Sequence, residues 1–203
     1  MTRILLTLLT IFGAIVASSE AALRQSLFHT PEAARAELAT FAAATPDADA
    51  WRERAALVRA GILKGAGLDP LPHRSPLKPV AGAPRVHGDY IAQNVRFESL
   101  PGFFVTGTLY RPARGDGPFP GVLLAHGHFK GPDGGRFQPE LQVLGATLAR
   151  AGAVVFAYDM VGWGESEQFP HKHPTSLTLQ LWNSIRALDY LESRADVDPR
   201  RLA

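Results

Sequence analysis

Two short runs in this chain are apolar without interruption, Gly121–Ala125 and Ala153–Ala157. Strands that are apolar on both faces belong inside a parallel sheet covered by helices. Between them Leu141, Leu144 and Leu148 recur at spacings of three and four, which predicts a helix with these leucines on its packed face. Arg150 and Gly152 end that helix. The three segments form a strand–helix–strand unit. Upstream, Tyr90–Glu98 alternates imperfectly. Pro101-Gly102 makes a turn, and Phe103–Tyr110 is rich in aromatic and β-branched residues, so the two runs predict an antiparallel hairpin. Downstream, a helix is expected from Thr175 to Arg194, capped by Thr175 or Ser176. Its apolar stripe is Leu181, Ile185 and Leu188, with Trp182 beside them. Asp196-Val-Asp-Pro199 breaks it, and Arg200–Ala203 reads as the opening of another strand.

The first 85 residues have a different texture. Thr30-Pro31-Glu32 suits a helix start, and Asp47 or Asp49 opens a second helix carrying Trp51, Leu57, Val58 and Ile62, ended by Gly65 and Gly67. Prolines then recur at 70, 72, 76, 79 and 84, which excludes a helix or a central strand and predicts a connector. The N-terminus itself combines Arg3, an apolar run from Ile4 to Ala17, and small residues from Ala17 to Ala22. This is the plan of a secretory signal peptide, cut between Ser18 and Ala22. The run is short for a membrane span, which needs about 20 residues. The expected division is therefore a signal peptide at 1–22, a helical lead-in and Pro-rich connector at 23–85, and an α/β domain at 86–203. The expected location is secreted or periplasmic, with no stable membrane span after cleavage.

Composition narrows the chemistry. The chain of 203 residues is 46% hydrophobic and 20% charged, an ordinary globular balance. Lys+Arg exceeds Asp+Glu by 21 − 19 = 2 and no basic block occurs, so nucleic acid is not an expected partner. There is no cysteine, which excludes a disulfide framework, a Cys nucleophile and thiolate zinc sites.

The sharpest chemical signal is His126-Gly127-His128-Phe129, directly after the first apolar strand. A sharp turn there aims a backbone N–H, which suits a developing oxyanion. A strand end followed by His-Gly resembles the place where α/β-hydrolases put one oxyanion-hole donor, and that resemblance implies the backbone N–H of His128 or Phe129. The second signal is Tyr158-Asp159-Met160-Val161-Gly162-Trp163-Gly164-Glu165-Ser166, after the second apolar strand. It is not a nucleophile elbow, which requires G-x-S-x-G. None of the nine serines has glycine two residues away on both sides. Ser166 comes nearest, and its expected job is a hydrogen bond within the loop. Two His-x-His pairs, His126/His128 and His171/His173, have ligand-bearing residues, but a turn at Gly127 splays the first pair. The second reads as exposed loop histidines. No metal and no cofactor are expected.

Together these stretches resemble the secreted α/β-hydrolases of the acetylxylan-esterase-like and dienelactone-hydrolase-like type. The matching residues are Phe97–Gly102, Gly107–Pro112, Pro120–His128, Tyr158–Ser166, Ala187–Leu191 and Val197–Leu202. The resemblance implies fold class α/β: the N-terminal half of an α/β-hydrolase sheet, a hairpin then parallel strands with flanking helices, preceded by the helical lead-in. It implies an acyl-enzyme mechanism on serine acting on a small ester or acylated carbohydrate. In that family the elbow, the acid and the histidine follow the stretch like Val197–Ala203, so the chain reads as an N-terminal fragment that lacks the triad and is inactive alone. It further implies that Gly121–His126 lies between the neighbouring strands with its outer edge bare. The alternative function is a non-catalytic binding or interaction protein that reuses the half-fold, and a third is a metal-dependent hydrolase using the histidines.

Overall fold

The computed structural model describes residues 29–128 and 134–203. The expected signal peptide lies outside the described residues, as does Phe129. The described residues fall into two compact units, divided between Arg59 and Ala60.

Helix α1 (Pro31–Ala44) starts as its sequence demands. The Thr30 hydroxyl accepts the Ala33 N–H at 3.2 Å, with Pro31 in the first turn. Helix α2 (Ala48–Gly65) is capped by Asp47, whose Oδ1 accepts the N–H groups of Asp49 and Ala50. It closes where Gly67 and Leu68 return their N–H groups to Lys64 and Leu63. The Pro-rich stretch is ordered. Arg74 donates to Asp189 Oδ2 at 3.0 Å, and the Ser75 carbonyl accepts from Arg186.

One mixed sheet organises the second unit. Its strands are β1 (Val80–Ala81), β2 (Arg85–His87), β3 (Tyr90–Leu100), β4 (Phe103–Pro112), β5 (Phe119–Ala125), β6 (Val154–Tyr158) and β7 (Val197–Leu202). The order is β1-β3-β4-β6-β5-β7, with β2 also on β3. Pairing is antiparallel up to β4–β6, whereas β6, β5 and β7 run parallel. The expected hairpin is β3–β4. The two-residue β1 and the short β2, not anticipated, sit on the outer side of β3, where a chain broken by prolines can still pair.

Alternation along β6 assigns the two faces. Val154, Phe156 and Tyr158 pack with Val95, Phe97, Val105, Leu109, Tyr190 and Leu191 against helix α4 (Ser176–Glu192). Val155 and Ala157 pack with Ala92, Tyr110 and Ala149 beneath helix α3 (Pro139–Arg150). Every residue of β6 is buried, at about 1.5–3 kcal/mol for each large side chain. Its parallel neighbour β5 is only half-buried over Val122–Leu124.

Four expectations need correction. The deepest residues of α3 are Gly145, Ala146 and Ala149; of the three leucines Leu148 packs partly buried beside them, whereas Leu144 is 42% exposed. A Cβ on Gly145 would lie 2.7 Å from the Tyr110 ring, so small residues let this helix approach the sheet where leucines would hold it off. The deep stripe of α4 runs through Trp182, Asn183, Arg186, Ala187, Tyr190 and Leu191, with Leu181 and Ile185 only partly covered, and neither hydroxyl caps the helix in the usual way. Strand β7 begins at Val197, three residues before the expected Arg200. Pro120 pairs with Asp198 and Gly121 with Leu202, so Pro199–Arg201 bulge out between them. Asp198 holds the bulge by accepting from the Arg200 N–H at 3.0 Å and from Arg201 Nε at 2.9 Å. Strand β7 pairs with β5 over Phe119–Gly121 and the Leu123 N–H donates to the Ala203 carbonyl, so the edge expected to be bare is covered as far as Leu123.

Candidate functional site

Strands β5 and β6 are parallel neighbours, so their carboxyl ends open side by side, the position at which open α/β sheets gather ligands. The segment Ala125–His128 leaves β5 beside the loop Asp159–Thr175 that leaves β6.

His126 joins the two. It is 6% exposed and its Nε2 accepts the Met160 N–H at 3.1 Å, while Nδ1 lies 2.8 Å from the Gly127 carbonyl. An Nε2 that accepts leaves the proton on Nδ1, where it donates to that carbonyl. Burial pushes the ring's pKa below its ordinary value, the Gly127 carbonyl opposes this, and the charge of Arg136 adds to the lowering. His126 is thus a neutral strut between loops, and the turn at Gly127 sends His128 the other way, out to solvent. The first His-x-His pair is splayed, as expected.

The β6 loop is built around Asp159. Its carboxylate is fully buried and accepts from Thr106 Oγ1 at 2.7 Å and from the Glu165 N–H at 3.1 Å, and it is ion-paired with Arg136. The Arg136 side chain is also wholly buried and reaches Glu165. Burial lowers the guanidinium's pKa, and Glu165 opposes that. Gly164 has φ +59° and its missing Cβ would fall on the Asp159 carboxylate; Gly162 has φ +74° and backs onto His171. Both positions need the absence of a side chain, which explains the Gly-x-Gly spacing.

Ser166 differs from its expected role. Its backbone closes the loop, accepting from the Gly162 N–H at 2.7 Å and donating to the Trp163 carbonyl at 2.9 Å. The hydroxyl itself makes no hydrogen bond among the described residues, and the residue is 1% exposed. A serine so buried cannot meet a substrate.

His128, the described oxyanion candidate, stands at the mouth. Among the described residues its N–H donates to no carbonyl or side chain. Its ring meets His171 from the β6 loop, Nε2 to Nε2 at 3.0 Å, with the Trp163 ring edge-on to both. Sequence reasoning missed this cross-loop pair, because nothing in two separate His-x-His spacings says which members will meet. His173 instead stays local, with Thr175. Among the described residues no group of three or more His, Asp or Glu gathers as metal ligands. A separate cleft of about 460 Å³ lies on the flank between β2–β4 and α3, walled by Arg85, His87, Tyr90, Tyr110 and Arg150.

No protein-family model matches the chain. YtaP of Bacillus subtilis (strain 168), a hydrolase by name, is 31% identical over 121 residues, 52% of this chain and 39% of that protein. Among solved structures, methylesterase BT1017 superposes with TM-score 0.70 at 34% identity, covering 81% of this chain and 38% of its own. An acetyl xylan esterase from Paenibacillus sp. R4 superposes with TM-score 0.51 at 19% identity, over 72% of this chain and 49% of its own, a likeness of fold. The chain thus spans about two-fifths of the length of YtaP and of the methylesterase. The chain has a mixed sheet with parallel β6, β5 and β7 at one end and helices on both faces, and on its superposition with the methylesterase it has the esterase-type α/β-hydrolase fold.

Proposed function

We propose that this chain supplies the N-terminal part of an exported carboxylic-ester hydrolase, with the backbone N–H of His128 as one donor of its oxyanion hole. The carrying observation is that N–H: it follows the carboxyl end of β5 on an exposed residue, has no hydrogen-bond partner among the described residues, and stands on a turn braced by the buried His126–Met160 contact. A rigid support and an unspent donor are what stabilising a developing oxyanion requires. The likeness to a methylesterase at 34% identity supports an ester as substrate. The acyl acceptor of the full mechanism is a serine in a G-x-S-x-G elbow, which none of the nine serines here forms, and in this reading the base histidine and its acid accompany that elbow. The shares of 38% and 39% of the relatives' lengths support placing that machinery in sequence beyond this chain. Arg3 and the apolar run to Ala17 support export.

The test joins the chain to its downstream coding sequence and follows p-nitrophenyl acetate hydrolysis. His128→Pro deletes the N–H and lowers kcat by about 10²–10³, whereas His128→Ala keeps the N–H and keeps the rate. Equal rates in both variants, or a downstream frame without an elbow, overturn the reading.

A further inference from the structure

The imidazole rings of His128 and His171 meet at the rim of the site, and neither ring is used in the ester chemistry above, which draws on the His128 backbone alone. The geometry points to a divalent transition-metal site in which His128 Nε2 and His171 Nε2 are the protein ligands, with water filling the remaining positions.

The spacing is the first argument. The two nitrogens are 3.0 Å apart. Nitrogens bound at ~2.0–2.1 Å to one ion lie about 2.9 Å apart at a right angle and about 3.4 Å apart at the tetrahedral angle. The observed separation falls between those limits, so an ion enters with small ring rotations. The second argument is the orientation of His171. Its Nδ1 lies 2.9 Å from the Val161 carbonyl. A carbonyl only accepts, so the proton sits on Nδ1 and the Nε2 lone pair is left facing His128. A backbone carbonyl on the far nitrogen is the usual support of a metal-bound imidazole. Third, Gly162 sits directly behind His171, so the β6 loop backs the ligand closely. Lastly, His128 is exposed, which gives the ion an entry path.

The neighbouring histidine is excluded, since His126 Nε2 is spent on the Met160 N–H. Two imidazoles and water favour copper(II) and nickel(II), which bind nitrogen donors strongly in tetragonal or octahedral geometry. The inference is independent of the ester-hydrolysis reading, because neither ligand side chain is used there.

Titration of the full chain with nickel chloride, read by calorimetry and by tryptophan emission, tests the site. Trp163 is 5.8 Å, centroid to centroid, from each of the two rings, so bound nickel quenches it. One saturable step is expected, weakened about tenfold or more in His128→Ala and in His171→Ala, and unchanged in His173→Ala. Trp163→Phe should lose the quench and keep the calorimetric step. His128→Ala, at an exposed position, decides the matter even if His171→Ala fails to fold. No saturable step, or one of parental strength in His128→Ala, overturns the site and leaves a plain imidazole hydrogen bond.

Discussion

The guanidinium of Arg136 and the carboxylate of Asp159 are paired with neither side chain reaching solvent. They tie the short 3-10 turn before α3 to the loop that leaves β6. Arg136→Met leaves Asp159 buried with only Thr106 and a backbone N–H to answer its charge. Such a cut costs about 3–5 kcal/mol, whereas replacing both members by apolar residues recovers much of it. Urea unfolding of Arg136→Met and of the double variant Arg136→Met/Asp159→Leu measures the two cases. Equal stability of Arg136→Met and the parent would mean that the pair is not formed.

His126 predicts a dependence on pH near neutrality. Its folded pKa is depressed, mainly by burial, so the unfolded chain binds the proton more readily. Stability contributed by the neutral ring is full above the ordinary histidine value of about 6.5 and declines as pH falls through it. Urea midpoints at pH 7.5 and pH 5.5 should fall in the parent, and by less in His126→Asn. An identical slope in both would assign the effect elsewhere.

Asp198 governs a lower window. Its pKa is lowered to about 2, first by the Arg200 N–H and then by the Arg200 and Arg201 side chains. The unfolded carboxyl titrates near 4, so the contribution is present above that value and lost as pH falls toward about 2. Asp198→Asn should flatten the acid limb of a stability–pH curve, measured by near-UV circular dichroism. The bulge at Pro199–Arg201 should also become more accessible to protease.

Ser166→Ala is expected to leave stability unchanged or slightly raised, by up to about 1 kcal/mol, because a buried hydroxyl without a partner is a cost in the folded state. Thermal melts of the pair decide it. A loss above about 1 kcal/mol would show that the hydroxyl has a partner.

Local pattern was enough for the hairpin, the strand–helix–strand unit and the Gly-x-Gly loop. Each rests on short-range rules: alternation along Tyr90–Glu98, two wholly apolar runs, and a backbone that only glycine can follow at Gly162 and Gly164. The turn at Gly127 that parts His126 from His128 was legible for the same reason. What the tertiary structure alone decided were the matters of distance between segments. The leucines of α3 have the right period, yet Tyr110 beneath Gly145 determines which face can come close. Strand β7 extends through a proline because β5 stands ready to pair with Asp198 on one side of a bulge and with Leu202 on the other. His128 meets His171, 43 positions away, because parallel neighbours β5 and β6 end at one level and release their loops together. Period and turn chemistry act over a few residues, whereas close approach and loop convergence depend on which strands become neighbours, and that is a property of the assembled sheet.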